Sequence, residues 1–414
     1  MSSDEAPLKF IGRSIANGRY TLVLLLAVNL LNYIDRQVLY AVFPLVKIDF
    51  RLSDTNLGIL GSAFMIFYMV SAPILGWLGD RMNRVKLAAV GVVVWSFATV
   101  LTGLASTYSM LFAARTVVGV GEASFGTVSP GLLSDLFPKE KRGRILAFFY
   151  LAIPVGSAMG YILGGLLGQS FGWRTAFLLA GIPGLIFAFP MWFLQDPALR
   201  DIDRGIRRVS TREEYLRLLA NRSFLTNTLA MAAMTFALGG LAQWIPTFLF
   251  RMHNLSVGEG NALFGAITVC SGVSGTLVGG WLGDRLQKTN AKGYLLISSW
   301  GFLAGAPVAA YALLTPSVIA CLTAIFVAEF LLFLNTSPLN AVIVNVTVPS
   351  VRAMAFAINI LFIHALGDAV SPTILGALSD RWGLRSSLLI APLAIIIAAF
   401  LTLVCTRFIE SDTV

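Results

Sequence analysis

Apolar stretches of 20 to 29 residues, broken by short polar segments, run along this chain from one end to the other. Twelve can be delimited, at 20–45, 56–78, 86–105, 108–135, 143–169, 174–194, 223–250, 258–282, 292–314, 317–345, 351–378 and 386–407. Each is long enough to cross ~30 Å of hydrocarbon as a helix at ~1.5 Å per residue, and too long for a barrel strand. The expected fold class is therefore an all-α membrane protein with twelve transmembrane helices. Six stretches precede the polar, Arg-rich segment 195–222 and six follow it. The expected domains are residues 1–194, a bundle with a cytoplasmic tail; 195–222, a partly amphipathic cytoplasmic linker; and 223–414, a second bundle. The polar tail Met1 to Arg19 leads into a span too long for a signal-peptide core, and no small-residue cleavage site follows, so Tyr20 onward reads as a retained first helix.

The two bundles are expected to be copies of one unit. Gly76 Trp77 Leu78 Gly79 Asp80 Arg81 returns as Gly280 Trp281 Leu282 Gly283 Asp284 Arg285, 204 residues later in a chain of 414. Phe137 to Arg142 is similar to Val348 to Arg352, and Gly165, Gly172 and Arg174 match Gly376, Gly383 and Arg385 at an offset of 211. Loop insertions account for the drift in offset.

Composition and charge then fix the solvent and the orientation. With 57% hydrophobic residues, 12% charged and a mean hydropathy of +0.80, the surface must face lipid. Of the 30 Lys and Arg, 22 fall on the tail, the C-terminus and the loops after even-numbered spans, and 6 on the opposite side. Both termini are thus expected in the cytoplasm and the chain in the cell (inner) membrane. The net charge of +9 requires no nucleic acid; basic inner loops against anionic lipid explain it. Cys270, Cys321 and Cys405 lie inside apolar runs without a partner at metal spacing, so neither a disulfide framework nor a metal site is expected.

Ionisable residues inside a span cost at least ~2.5 to 3.5 kcal/mol each and are kept to line a cavity or to pair. The chain has Asp35 and Arg36 in span 1, Arg115 and Glu122 in span 4, Glu329 in span 10, and His364 and Asp368 in span 11. Asn29, Asn32, Arg36 and Tyr40 form one polar stripe on span 1. Arg115, Gly119 and Glu122 share a face of span 4, as do His364, Asp368 and Ser371 on span 11. A rise of ~1.5 Å per residue brings Arg36 and Arg115 to a similar depth, where Asp35 can pair with Arg115. Arg36 and Arg115, with Tyr40 and Asn32, are the expected binding residues for an anionic head. Asp35, Glu122, His364 and Asp368 are the expected proton carriers, the alternative being static pairs that join helices. Glu329 follows Glu122 by 207 residues and reads as its counterpart in the second bundle. Met231, Met234, Phe236, Leu238 and Trp244 of span 7 are candidate walls for an apolar tail.

Twelve spans in a six plus six arrangement, a basic central segment and GWLGDR after spans 2 and 8 resemble the major facilitator superfamily of secondary transporters. Its loop signature matches Gly76, Leu78, Gly79, Asp80, Arg81 and Arg84, with Asn83 where the family has Gly. The resemblance implies two pseudo-symmetric six-helix bundles, and a cytoplasmic lock in which Asp80, Arg81, Arg84, Asp284 and Arg285 act as gating residues. Arg115 with Gly119 is similar to the R-x-x-x-G signature linked to proton coupling. Gly156, Gly160, Gly164 and Gly165 resemble the Gly-rich motif of exchangers, although Tyr161 stands in place of its Pro; close helix packing is the preferred reading. Asn32 Tyr33 Ile34 Asp35 Arg36 is similar to both spinster-type lipid transporters and anion:cation symporters, and His364 Ala365 Leu366 Gly367 Asp368 Ala369 Val370 Ser371 Pro372 resembles the spinster stretch. The short tail and compact loops suit a bacterial member.

The expected function is secondary active transport of a lysophospholipid or sphingoid phosphate by alternating access, proton-linked; the alternative is a proton-coupled symporter of a small organic anion such as a sugar acid. The expected partners are that anionic or amphiphilic substrate, protons and membrane lipid, with the protein a monomer and no cofactor. No H-E-x-x-H, G-x-S-x-G or G-x-x-x-x-G-K-[ST] pattern occurs, which argues against a zinc enzyme, a hydrolase or an ATP-driven pump.

Overall fold

The computed structural model describes residues 18–79, 81–137, 145–146, 148–196, 216, 218–348 and 352–413. The apolar runs form helices close to the predicted limits. Span 1 is Gly18–Ala41, continued past Val42 by the short helix Phe43–Phe50; spans 2 to 6 are Asp54–Gly79, Arg84–Gly103, Tyr108–Leu136, Phe148–Phe171 and Trp173–Trp192. Spans 7 to 9 are Arg222–His253, Val257–Gln287 and Gly293–Leu314. Span 10 runs over Val318–Phe333 and Thr336–Asn345, span 11 over Arg352–Ile363, a π-helical turn at His364–Asp368 and Ser371–Trp382, and span 12 over Leu384–Leu388 and Ile390–Cys405. Eleven of these are apolar and long enough to cross a membrane. Tyr108–Leu136 is the twelfth by length, and falls outside that set because Arg115, Glu122 and its many Gly, Ser and Thr residues dilute its hydropathy.

Local chemistry starts and stops these helices. Asn83, Thr107, Asn221 and Ser317 each accept a hydrogen bond from a first-turn N–H, and Ser256 and Glu259 make a reciprocal capping box. Asn83, which departs from the family signature, is thus the cap that starts span 3. Gly172 and Gly383 sit at φ 86° and 81° between spans 5 and 6 and between spans 11 and 12, equivalent points of the repeat where a side chain would be strained.

The halves pack alike. Within the first, spans 3 and 4, 2 and 4, 3 and 6, and 1 and 5 are neighbours; within the second, spans 9 and 10, 8 and 10, 9 and 12, and 7 and 11 are. The seams between halves are the equivalent pairs 2 with 11 and 5 with 8. Glycines permit this closeness: a Cβ at Gly160 would lie 2.5 Å from the Ile34 carbonyl oxygen, and one at Gly156 2.8 Å from that of Leu30. Gly165 faces Asn261 of the other half in the same way. The glycine run of span 5 is therefore a packing surface.

Polar contacts between halves gather at the end of the molecule opposite Gly18. Asn261 donates to the Ala41 carbonyl at 3.0 Å, the Gly258 N–H to Gln169 at 2.6 Å and the Tyr161 hydroxyl to the Ala242 carbonyl at 2.7 Å. Trp244 belongs to this closed end. It is fully buried, donates to the Pro372 carbonyl at 3.2 Å and packs on Phe43. Its expected place in a cavity wall is corrected: the indole packs between Phe43 of the first half and the Pro372 carbonyl of span 11.

Candidate functional site

Span 1 brings Asp35 and Arg36 against span 4 as consecutive residues pointing to different partners. The Arg36 Nε donates to Glu122 at 2.7 Å, with 14% of the Arg36 side chain exposed and none of Glu122. Asp35 faces Arg115 at 3.6 Å, an ion-pair distance without a hydrogen bond, and accepts from the Thr99 hydroxyl of span 3. The Asp35–Arg115 pairing and the common face of Arg115 and Glu122 are as the spacing predicts.

Aromatic rings complete the group. The Arg36 guanidinium lies 4.9 Å from the ring centres of Tyr33 and Tyr68 and 5.1 Å from that of Phe64, while Arg115 also lies 5.1 Å from Phe64. Phe64 thus contacts both cations. Arg115 is fully buried and Arg36 is not, so in this conformation only Arg36 is open to a ligand. Asn32 and Tyr40 are also buried, at 3% and 6% exposure. The amide nitrogen of Asn32, the three guanidinium nitrogens of Arg115 and one Glu122 oxygen are buried without a hydrogen-bond partner. Such groups call for water or a polar ligand.

The other expected ions fall into separate places. His364 Nδ1 and Asp368 Oδ1 are 2.9 Å apart within the π-helical turn of span 11, where Gly367 leaves helical geometry. Gly239 of span 7 allows Asp368 to approach, since a Cβ there would meet the Asp368 Cβ at 2.4 Å. Glu329 accepts from Ser271 at 2.8 Å and from Thr268 at 3.3 Å. Among the described residues it is the one charged group lining a cavity of about 100 Å³ otherwise walled by groups such as Leu238, Ile245, Phe264, Ile325 and Phe333. Of the span 7 candidates, Leu238 lines this cavity, whereas Met231, Met234 and Phe236 pack in the core around spans 7, 9 and 12.

At the end near the GWLGDR segments, Asp80 lies outside the described residues, as do Pro138 to Arg144, most of 195–222 and Pro349 to Val351. Arg81 and Arg285 stack on Trp77 and Trp281 one turn earlier, which explains why Trp and Arg recur together. Arg84 pairs with Asp135 of its own half and with Asp196 at the start of the linker segment, at 2.8 Å each, and Asp284 accepts from Tyr294 of its own half at 2.8 Å.

A second charged cluster escaped the sequence reading because its members stand at helix ends, where charge is unremarkable. Asp54 opens span 2 and accepts two bonds from Arg251 of span 7 at 2.7 Å, one from Ser379 at 2.5 Å and one from Lys47. Asp380 of span 11 caps span 2 from the other half, accepting from the Asp54 and Thr55 N–H groups at 2.8 Å and the Thr55 hydroxyl at 2.6 Å. These contacts latch the closed end.

The model of the Major Facilitator Superfamily matches residues 25–372. The chain is 36% identical over 380 residues to protein spinster homolog 1 of Xenopus laevis, covering 87% of this chain and 72% of that one. It is 34% identical over 395 residues to the Homo sapiens homolog 1, with 89% and 74% covered. Against protein spinster of Drosophila melanogaster the identity is 35% over 386 residues, covering 90% of this chain and 63% of the relative's length. Among solved structures, a bacterial homolog of the human lysosomal transporter spinster, crystallised inward-facing and unoccupied, superposes with a TM-score of 0.87 at 24% identity over 96% and 98% of the two chains. A D-xylose-proton symporter gives 0.75 at 16% identity over 96% and 100%, a likeness of fold. With its six plus six packing, its buried ion pairs and these relatives, the chain belongs to the major facilitator superfamily of transporters, within the spinster family.

Proposed function

We propose that this transporter moves an amphiphile with an anionic head, a lysophospholipid or sphingoid phosphate, by alternating access linked to protons. The observation that carries the reading is the Arg36–Glu122 pair, buried on the acid's side, partly open on the arginine's and ringed by Tyr33, Phe64 and Tyr68. A phosphate is a bidentate partner for a guanidinium and competes with Glu122 for it. Once Arg36 turns to the phosphate, Glu122 is a buried carboxylate without its counter-ion, the condition that favours proton uptake. Arg115, fully buried beside Phe64 and Asp35, acts as a positioning charge for the same site rather than as a direct ligand. The cavity beside Glu329 supplies the apolar room that a chain needs and a sugar acid does not. His364 with Asp368, at the break in span 11, is the second proton pair.

The excess of Lys and Arg on the loops near Gly18 supports both termini in the cytoplasm of a cell-membrane protein that works as a monomer, and on that reading the latched end faces outward and the conformation is inward-open. Residues 1–194 and 223–414 are then the moving bundles, joined by 195–222. Proteoliposomes test this reading. Uptake of a labelled lysophospholipid should respond to an imposed pH gradient and be blocked by unlabelled lysolipid but not by gluconate; block by gluconate alone supports the small-anion alternative instead.

A further inference from the structure

Three of the six Lys and Arg on the weakly basic side of the molecule share one cleft. Lys47, Arg51 and Arg251 line it with Ile48 and Phe250, around an open volume of about 460 Å³ between the end of span 1 and the end of span 7. Lys47 and Arg251 are 31% and 22% exposed, while Asp54, the carboxylate they share, is 4% exposed and lies behind them. Arg51 has no side-chain hydrogen-bond or ion-pair partner among the described residues, although its backbone N–H donates to the Lys47 carbonyl. It holds the left-handed conformation, φ 52°, that closes the helix Phe43–Phe50, a turn that glycine makes at less cost. The nearby acids are committed elsewhere: Asp380 to the start of span 2, and Asp49 to Arg174 and Trp173. The cleft therefore presents three cations to one shielded anion, and Ile48, 68% exposed, forms an apolar rim.

We propose that this cleft binds the phosphate of an anionic phospholipid from the leaflet at the latched end, and that its binding reinforces the latch. A phosphate suits the purpose because it accepts from two guanidinium groups and an ammonium at once, with its chains against Ile48 and Phe250. Lys47 and Arg51 belong to the first half and Arg251 to the second, so a phosphate held by all three bridges the halves beside the Arg251–Asp54 pair that ties span 7 to span 2. A ligand shifts a conformational equilibrium only by its preference for one state, and here the preference arises because the latched state alone brings the three cations together.

The test uses pulsed spin-label distances between Phe171→Cys and Trp382→Cys, exposed positions at the ends of spans 5 and 11, in a Cys270→Ser background. The protein is placed in phosphatidylcholine membranes, in phosphatidylcholine with phosphatidylglycerol, and in phosphatidylcholine with soluble glycerol phosphate. The long-distance population should fall several-fold with phosphatidylglycerol only. Arg51→Ala should need about fivefold more of that lipid for the same fall, the factor for one surface cation, and Arg51→Lys should regain most of it. Equal distances with and without phosphatidylglycerol, or an unaltered response in Arg51→Ala, overturn the proposal, and a full response to glycerol phosphate overturns lipid as the occupant. No transported substrate is present, so this result is separate from the outcome of the flux assay.

Discussion

Glu122 and Glu329 occupy equivalent spans of the two halves, yet their surroundings differ in kind. Glu122 is held by a guanidinium, beside a second buried ion pair and three aromatic rings. Glu329 has two hydroxyls and an apolar cavity. The repeat conserves where a carboxylate sits along the helix, and the neighbours decide what it does. Around these two spans the first half carries paired charges, and the second carries one carboxylate beside an apolar cavity.

Stability breaks or sharpens this comparison most strongly. Arg36→Ala strands a fully buried carboxylate, and breaking a buried pair from one side costs about 3–5 kcal/mol. Thermal unfolding in detergent should show a large loss, recovered when Glu122→Gln is added. Glu329→Gln, which removes no partner's counter-charge, should cost about 1 kcal/mol or less; equal losses at the two sites would mean the halves are alike.

The next effect is on pH dependence. Glu122→Gln should flatten the response of the conformational equilibrium to pH, while Glu329→Gln should leave it in place; spin-label distances across the open end measure both. Smaller again is the effect of filling the apolar cavity. Ala312→Leu or Ala328→Leu should lower affinity for long-chain lysolipids and spare short-chain ones, since each CH₂ buried contributes ~0.8 kcal/mol. Binding across a chain-length series reads this out.

The smallest effect lies outside the spans, at Asp49. Hydrogen bonds from Arg174 and Trp173 hold its carboxyl below the ordinary aspartate range. A lowered folded-state pKa gives stability that is present above the unfolded pKa and is lost as pH falls through the folded one. Asp49→Asn should therefore lower the melting temperature slightly at neutral pH and not at all at low pH, which removes a small acid-side slope; the pair is exposed, so the contribution is well under ~1 kcal/mol.

The sequence showed the helices because lipid demands long apolar runs, and the two-fold repeat because GWLGDR and the Gly172 and Gly383 turns recur in register. Helical spacing found the Asp35–Arg115 pairing but not that Arg36 would turn to Glu122, because adjacent residues on one helix diverge by ~100° and only the partner helix shows which way each points. Tyr68, Phe64 and Thr99 were invisible as site residues, since an aromatic or a Thr in an apolar run gives no signal of what it faces. Trp244 misled for the same reason. The Asp54 and Asp380 latch joins residues 326 positions apart, each reading alone as an ordinary helix-end acid.

The central claim is that Arg36 reads the substrate's phosphate in competition with Glu122. Affinity of the purified protein for a lysophosphatidate and for the monoacylglycerol of the same chain tests it directly. The account predicts that the phosphate strengthens binding at least about tenfold, a difference of ~1.4 kcal/mol, and that Arg36→Ala with Glu122→Gln binds both equally. Equal affinity for the two ligands in the unaltered protein, or a phosphate preference that survives the double substitution, would contradict it.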